Sequence, residues 1–401
     1  MKTIVLAGLT AVAVLPLAAC GSSGNDGDTV KIGVIVSESG DGASIGADEA
    51  KGYDAALKSL NDAGGIAGKK VEFIKVDDKS QDATAVLKVR ELVNEEGVVA
   101  VLGPGGASPA SAAASVADSL QVPLIAFPSN KGETWEGKNV SSWAFGVAAS
   151  GESIGEGCLA KYLDWAEANG STPASIAIGA ETDGAPPQYA SGVTTAAEDA
   201  GVDVLTRQDW PADVVDLTPQ MTNVRSADPD TLVVSAYLES DVQATRALEQ
   251  LDMPSDNVLQ CSSIVLSDYI DSVGKAATGM KFMALGADDP AKVPADFPLA
   301  DEIKDFRTAY QNVFPGEEPS RFAAGSYQTA MMLRDAIKDA GSTDPDAVRD
   351  ALEAFDGYEG AYSIISYTPD RHRPSAEDYQ DSSLLFEYTG TGFENVSADA
   401  K

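Results

Sequence analysis

The chain has 401 residues, and its 28 basic and 62 acidic side chains give a net charge of −34 with a single histidine. Phosphate backbones bind to clustered Lys and Arg, so this balance argues against a nucleic-acid partner, and an anionic membrane surface would repel most of the chain. A hydrophobic content of 44% excludes global disorder. One histidine excludes multi-histidine metal sites, and we expect no metal and no cofactor. The length suits two domains with separate cores.

The N-terminal segment has the pattern of an export signal. Lys2 precedes an apolar stretch that is too short to span a membrane. The sequence LAACG at 17–21 resembles a bacterial lipobox, a signal in which cleavage leaves the cysteine as the lipidated first residue. We therefore expect a signal peptide over 1–19, lipidation at Cys20, and a Gly- and Ser-rich flexible tether over 20–28. An ordinary secretory signal with a chance cysteine is the alternative.

Strand and helix patterns alternate through the rest of the chain. Short apolar runs typical of buried strands occur at 30–36, 71–77, 98–102 and 122–127, and after residue 148 again at 175–179, 202–205, 231–236 and 257–260. Later strand patterns are at 280–286, 360–367 and 383–388, and helix patterns at 299–314, 322–340 and 345–355. Strands that alternate with helices indicate parallel sheets covered on both faces. The fold class is therefore α/β, and the two series predict two similar lobes.

The cysteines leave one question open. With Cys20 assigned to the export signal, Cys158 and Cys261 remain, and no CxxC or zinc spacing is present. In an exported protein the two residues can form one disulfide, or they can be two unrelated buried thiols.

One motif suggests an enzyme. Residues 42–46 match the G-x-S-x-G nucleophile elbow, which would make Ser44 the nucleophile of a serine hydrolase. Such an enzyme would use His372, the single histidine, as its base. However, five residues separate the motif from the preceding strand, and His372 lies in a charged loop where we expect an exposed side chain. A serine hydrolase is therefore a remote alternative.

Several loops follow predicted strands, where open parallel sheets bind ligands. In GPGGAS (103–108) a glycine-rich turn precedes a helix, so backbone N–H groups and the Ser108 hydroxyl can face a carboxylate, or the serine is a simple helix cap. Lys131 follows the next strand and is either a ligand-facing cation or a solvated side chain. Tyr189 and Tyr237 follow strands of the second series, and each either lines a cleft or packs in a core.

The opening of the chain is similar to a known family. VKIGVIVSESGDGASIGADEAKGYDAALKSLNDAGGIAGKKVEFIKVDD, at 30–78, resembles the start of the branched-chain amino-acid-type (Leu/Ile/Val-binding-like) solute-binding proteins of ABC importers, and VVAVLGPGGASPASAAASVADSLQVPLIAFPS resembles their next two strand units. The resemblance implies a type I periplasmic-binding fold with two lobes joined by three chain crossovers. The implied division is lobe 1 at 29–147 plus 284–356 and lobe 2 at 148–283 plus 357–401.

The resemblance also implies ligand-binding positions. The family binds the ligand's carboxylate with a serine after the third strand and a segment after the fourth strand. These correspond here to Ser108 (or Ala107, if the alignment shifts by one residue) and to Ser129, Asn130 and Lys131. Lys131 replaces a small hydroxyl residue and suits an anionic group. Tyr189 and Tyr237 fall where the family has cleft tyrosines, and the resemblance makes Ser262 a further ligand-binding candidate.

The expected ligand class is open because one family feature is missing. Amino-acid binders of this family usually carry an acid near the position of Ser262, and that acid pairs with the ligand's ammonium. Without it, an α-amino acid leaves an unpaired charge in a closed cleft, although Glu181, Asp183 or Glu239 could substitute. The ligand is therefore an amino acid, or a related carboxylate or amide that lacks the amine.

The resemblance implies a receptor rather than an enzyme. We expect a monomer outside the cytoplasm, held on the bacterial cell membrane by its N-terminal lipid only. It would capture a small-molecule ligand between its lobes and deliver it to the permease and ATPase subunits of an ABC importer. A ligand-sensing module of the same fold, which signals to a partner protein, is the alternative.

Overall fold

The computed structural model describes residues 29–397 except positions 107, 129–131, 133, 263–265 and 289–291. The predicted signal peptide, Cys20 and the tether lie outside this part of the chain, as do Ser129, Asn130 and Lys131. Within it, no helix combines the length and apolar character needed to cross a membrane.

Helices and strands alternate along the chain as the sequence predicts. The strands are β1 (Thr29–Val36), β2 (Lys70–Asp77), β3 (Val101–Gly105), β4 (Leu124–Phe127), β5 (Ala144–Gly146), β6 (Ser175–Glu181), β7 (Asp203–Trp210), β8 (Thr231–Ser235), β9 (Val258–Gln260), β10 (Lys281–Leu285), β11 (Tyr358–Glu359), β12 (Ile364–Ile365), β13 (Ser383–Tyr388) and β14 (Phe393–Asn395). The helices are α1 (Ala43–Asp62), α2 (Asp82–Glu91), α3 (Ser108–Leu120), α4 (Gly151–Ala168), α5 (Pro186–Ala200), α6 (Thr218–Ala227), α7 (Leu238–Gln250), α8 (Leu266–Val273), α9 (Ala300–Gln311), α10 (Arg321–Ala340), α11 (Pro345–Glu353) and α12 (Ala376–Asp381).

The first lobe is built on a parallel sheet with strand order β2-β1-β3-β4-β5. Strands β1 and β2 pair along their whole length, from Thr29 opposite Lys70 to Val36 opposite Asp77. Strands β3, β4 and β5 are buried at every position, because helices cover both faces of the sheet. The core includes α10 as well as α1, and Gly52 allows the two helices to approach closely, since a Cβ there would lie 2.2 Å from the carbonyl oxygen of Ala323.

The second lobe has a larger sheet with strand order β14-β13-β10-β9-β8-β6-β7. Strands β6 to β10 are parallel, whereas β13 and β14 are antiparallel to their neighbours. Helices α4 and α5 pack on this sheet, again through glycine, because a Cβ on Gly155 would lie 2.0 Å from the carbonyl oxygen of Tyr189. The strand predicted over 360–367 is wrong in extent: this segment contains only the short β12, in a hairpin with β11.

The chain passes between the two lobes more than once. Side chains of α9, α10 and α11 return to the core of the first lobe after β10 has ended in the second sheet at Leu285. Tyr362 and Tyr367 also pack in the first core. The lobe boundaries near 147, 283 and 357 stay predictions.

A disulfide joins Cys158 of α4 to Cys261, which follows β9. The Cα atoms are 5.9 Å apart, and both residues are buried in the core of the second lobe. The structure therefore has the first of the two arrangements that the sequence left open.

The expectation of an exposed His372 is wrong. The residue is 1% exposed, its ring stacks on Phe145 with centroids 4.5 Å apart, and Nδ1 lies 3.2 Å from the carbonyl oxygen of Ala144. Burial lowers the pKa of the imidazole, so the neutral form is favoured. Ser44 is exposed at the start of α1, and His372 is a core residue of the first lobe.

Candidate ligand-binding cleft

A cavity lies at the carboxyl ends of the second sheet, where the start of α10 approaches from the first lobe. Its lining residues are Ile154, Cys158, Tyr189, Cys261, Ser262, Met283, Ala284, Leu285, Asp288, Arg321, Tyr362 and Tyr379. Cys261 and Ser262 directly follow β9, and Leu285 ends β10. Ligands of open α/β sheets bind at this edge of the strands. Because Arg321 and Tyr362 pack with the first lobe, the cavity has walls from both lobes.

An ion pair forms one wall of this cavity. Arg321 Nε lies 2.5 Å from Asp288 Oδ1, and the two side chains are only 27% and 14% exposed. Asp288 Oδ2 also accepts a hydrogen bond of 2.9 Å from the backbone N–H of Leu285, which fixes the carboxylate at the end of β10. Burial opposes the charge of Arg321, but the Asp288 carboxylate raises the pKa of the guanidinium. The guanidinium therefore stays charged.

Phenolic side chains surround the ion pair. Tyr189, Tyr362 and Tyr379 all line the cavity, and burial raises the pKa of Tyr362 and Tyr379, so these hydroxyls are neutral. Ser262 belongs to the second lobe. Its hydroxyl accepts a hydrogen bond from the N–H of Ala236 at 3.0 Å and donates one to the carbonyl of Val234 at 3.2 Å. The site thus offers hydroxyl groups and one charged pair on an otherwise apolar lining.

The structure brings together only some of the predicted ligand-binding residues. Tyr189 and Ser262 line the cavity. Ser108 begins α3, is exposed and donates to Asp82 Oδ2 at 2.6 Å. Tyr237 precedes α7, and its hydroxyl accepts from the N–H of Ala185 at 3.0 Å; neither Ser108 nor Tyr237 is among the residues that line this cavity. Their contact with a ligand stays a prediction.

Three acids were expected as substitutes for the family's missing acid near Ser262, and none of them is among the residues that line this cavity. Glu181 is buried, and its carboxylate accepts from the Ser240 hydroxyl at 2.7 Å and from the N–H of Tyr237 at 3.2 Å. Asp183 accepts from the N–H of Ala212, and Glu239 is exposed. Instead, Asp288 is the acid that shares the cavity with Ser262. Sequence reasoning missed it because no local motif links position 288 to Arg321.

Two buried carboxyl groups lie beneath the corresponding edge of the first sheet. Glu49 and Asp78 are 3% and 0% exposed, and the Ser37 hydroxyl donates to Asp78 Oδ1 at 2.7 Å. Burial, followed by the charge of Asp78, raises the pKa of Glu49 to about 8. Gly105 lies directly against this acid, because a Cβ there would be 1.7 Å from Glu49 Oε1. The glycine-rich loop of the sequence therefore covers a carboxylic acid that sequence reasoning did not single out.

A fully buried arginine holds the segments near the chain crossings together. Arg373 donates to the carbonyl of Ala148 at 3.1 and 3.2 Å and to that of Pro128 at 3.4 Å. Burial lowers its pKa to about 10, which leaves it charged at neutral pH. It ties the C-terminal segment to the chain after β5 and to the loop after β4. No group of three or more His, Cys, Asp and Glu side chains in the described part of the chain is arranged to hold a metal ion.

Two α/β lobes, with a cavity at the strand ends of the second sheet that has walls from both lobes, are typical of two-lobed periplasmic binding proteins. A family model described as periplasmic binding protein matches residues 29–379, and the chain belongs to this family. Among curated relatives, "Leu/Ile/Val-binding protein homolog 7" of Brucella abortus is 25% identical over 332 residues, which are 82% of this chain and 81% of the relative. Homolog 8 from the same organism is 22% identical over 337 residues, with the same coverage of both chains.

Solved structures share the fold. The substrate-binding protein LivJ of the branched-chain amino acid transporter of Streptococcus pneumoniae, solved with isoleucine, is 22% identical and superposes with a TM-score of 0.64 over 91% of this chain and 98% of its own. An extracellular ligand-binding receptor of Rhodopseudomonas palustris HaA2 is also 22% identical and has a TM-score of 0.68 over 91% of this chain and 99% of its own. The α/β type I fold with two lobes, predicted from the sequence, is confirmed.

Proposed function

We propose that this protein captures a small solute between its lobes and delivers it to the permease and ATPase subunits of an ABC importer. The observation that carries the proposal is the cavity whose walls come from both lobes, with Arg321 on one side and Ser262 on the other. A ligand that contacts both lobes has higher affinity for the closed arrangement and shifts the equilibrium toward it. This cycle requires no covalent chemistry.

The ligand is an amino acid or a related carboxylate or amide metabolite. Neutral hydroxyl groups of tyrosines and Ser262 provide hydrogen bonds, and the ion pair provides charge, in a setting that becomes drier when the lobes close. Curated relatives carry the name Leu/Ile/Val-binding protein, which agrees with this ligand class.

The protein acts as a monomer outside the cytoplasm, anchored to the cell membrane through a lipid on Cys20. The sequence around Cys20 supports the anchor, and the family name agrees with an extracytoplasmic location. The disulfide between Cys158 and Cys261 adds support, because disulfides persist mainly in oxidising compartments. Replacing Cys20 with Ser is expected to release the exported protein from membranes into the soluble fraction.

A thermal-shift screen tests the solute-binding role. The panel contains the twenty amino acids, carboxylates without an amine, and amides. A solute at a hundred times its Kd stabilises the folded protein by about 2.7 kcal/mol, which is a clear shift in Tm. Ser44→Ala is the matched control and is expected to bind like the wild type. If no solute stabilises the protein while Ser44→Ala abolishes an ester-hydrolysing activity, the receptor role is wrong.

A further inference from the structure

We propose that the disulfide between Cys158 and Cys261 is a site of exchange with small thiols, which reach it through the cavity, so that a thiol and a solute exclude each other there. This inference rests on the proposed function and adds a modification site that can switch solute binding off. The class of reactant that the site takes is a low-molecular-weight thiol such as glutathione.

The disulfide forms part of the cavity wall. Both cysteines are among the residues that line the cavity. So are Ile154, one turn before Cys158 on α4, and Ser262, the residue that follows Cys261. Both cysteines also belong to the core of the second lobe. The bond thus connects α4 to the end of β9 at the place where we expect the solute.

Access to the sulfur atoms depends on the first lobe. Cys158 and Cys261 are 0% and 2% exposed in this arrangement of the lobes. Arg321 and Tyr362, which pack with the first lobe, line the same cavity and help to enclose it. When the lobes part, as the capture of a solute requires, this wall moves away from the cysteines. A small thiol can then reach the disulfide while the second lobe stays folded.

The exchange reaction needs no oxidant and no cofactor. The thiolate of the small thiol attacks one sulfur atom of the disulfide and forms a new S–S bond with it, while the bond between Cys158 and Cys261 breaks. The other cysteine sulfur leaves with the electron pair of that bond as a thiolate and takes a proton from water. The product is a mixed disulfide with one free cysteine beside it in the cavity wall.

The size of the cavity makes the thiol and the solute mutually exclusive. The cavity has a volume of about 40 Å³, which holds only a few water-sized groups. A glutathionyl group on either sulfur is larger than this space. The adduct therefore fills the cavity or holds the lobes apart, and a bound solute in turn covers the disulfide.

The urea dependence of the exchange tests its route. The oxidised wild type is incubated with glutathione at urea concentrations below the unfolding transition, and the adduct is followed by intact-mass spectrometry. Exchange through the opened cavity should depend only weakly on urea, whereas exchange from the unfolded chain accelerates with the full urea dependence of global unfolding. A rate with that full dependence would overturn the inference. The double variant Cys158→Ala/Cys261→Ala retains Cys20 and is the control for adducts at that residue.

Solute binding tests the mutual exclusion. The probe is the solute of the thermal-shift panel that raises the Tm of the wild type most, and its affinity is measured by isothermal titration. We expect the glutathione adduct to bind the probe at least about tenfold more weakly than the oxidised protein does. Protein reduced with dithiothreitol has free thiols and no adduct, and it should bind the probe more tightly than the adduct does. The double variant should bind the probe equally well with and without glutathione.

The probe should also protect the disulfide. At about a hundred times its Kd, the probe leaves about 1% of the cavities empty and should slow adduct formation about a hundredfold. A bound solute suppresses global unfolding by the same factor, so the two routes are separated by the urea dependence and not by protection.

The outcomes separate the inference from the proposed function. If the adduct binds the probe with the affinity of the oxidised protein, the inference fails and the receptor role stands. The same holds if no adduct forms in the folded protein. If no solute of the panel binds the wild type, the proposed function fails, and the mutual exclusion fails with it.

Discussion

Each lobe contains a buried carboxyl group with a raised pKa near the edge of its sheet, and the two groups have different neighbours. Burial raises the pKa of both Glu49 in the first lobe and Asp241 in the second lobe to about 8. Glu49 faces the buried carboxylate Asp78 and has one oxygen, Oε1, without a hydrogen-bond partner among the described residues. Asp241 also has one oxygen, Oδ2, without a hydrogen-bond partner among the described residues, but its Oδ1 accepts from Gln260 Nε2 at 2.9 Å, and Glu181 lies nearby.

The comparison extends to how each lobe is held together. The second lobe has a disulfide beside the cavity. The one other cysteine in the sequence, Cys20, precedes the first lobe. Each lobe depends on packing and on the protonation of one buried acid, and the second lobe depends in addition on a covalent bond. A reductant should therefore act on the second lobe alone, whereas rising pH should destabilise both lobes.

The largest expected effect is on the pH dependence of stability. The folded protein keeps a proton on Glu49 and Asp241 up to about pH 8, whereas the unfolded chain loses it near pH 4. Each group therefore lowers the free energy of unfolding as pH rises from about 5 to about 8, by up to about 1.4 kcal/mol per pH unit. Urea unfolding of Glu49→Gln and Asp241→Asn across this range should show a shallower fall than the wild type.

His372 acts in the opposite direction. Its lowered pKa means that the unfolded chain binds the proton more readily, so its contribution to stability rises as pH increases through about 6.5. The wild type and the variants all contain His372. Subtracting the wild-type free energy of unfolding from that of the variant at each pH therefore cancels the contribution of His372. Asp62→Asn, at an exposed acid, should leave the slope unchanged, and equal slopes in Glu49→Gln and the wild type would show that Glu49 is ionised at neutral pH.

Removing the disulfide should have the next largest effect. Cys158 and Cys261 are 103 residues apart in the sequence, so their bond restricts a long loop in the unfolded chain. The double variant Cys158→Ala/Cys261→Ala is expected to lose about 2–4 kcal/mol of stability, measured by denaturant unfolding. A reductant should destabilise the wild type similarly and should not affect the double variant. Identical unfolding curves with and without reductant in the wild type would contradict this prediction.

Closely packed glycines give a matched test in the two lobes. A Cβ at Gly52 or at Gly155 would lie about 2 Å from a backbone carbonyl oxygen of the facing helix. Overpacking costs about 1–3 kcal/mol, which exceeds the roughly 1 kcal/mol that Ala gains over Gly inside a helix. Gly52→Ala and Gly155→Ala should therefore both lower the Tm. Gly392→Ala is the control, since nothing lies within 4 Å of its Cβ position. If Gly155→Ala is as stable as the wild type, the helices of the second lobe are not tightly packed there.

The sequence predicts the architecture well because strand and helix periodicities are local properties. It predicts individual burial poorly where polar side chains find distant partners. His372 and Arg373 lie in a charged loop of the sequence, yet both are buried. The carbonyl of Ala144 lies against His372 Nδ1, and the carbonyls of Ala148 and Pro128 accept hydrogen bonds from Arg373. Those carbonyls come from chain segments more than two hundred residues away, and only the folded topology reveals them.

The candidate site also contains some residues that the sequence predicts and others that only the fold brings together. Tyr189 and Ser262 were predicted from strand-end positions and family resemblance, and they line one cavity. Asp288 and Arg321 meet only because β10 ends beside the start of α10, which no spacing rule anticipates. The disulfide stayed open for a similar reason, since pairing depends on a Cα–Cα distance that the sequence does not contain.

The smallest expected effect distinguishes the two predicted cleft tyrosines. Tyr189 lines the cavity, whereas the Tyr237 hydroxyl is 3.0 Å from the N–H of Ala185 outside that lining. A single hydrogen bond contributes about 0.5–1.5 kcal/mol. Tyr189→Phe should therefore weaken ligand binding a few-fold, and Tyr237→Phe should lower stability slightly with no change in affinity, both measured by titration calorimetry and urea unfolding. If Tyr237→Phe weakens binding more than Tyr189→Phe does, the ligand reaches beyond this cavity toward α7. Tyr237 would then be a ligand-binding residue, as the family resemblance implies.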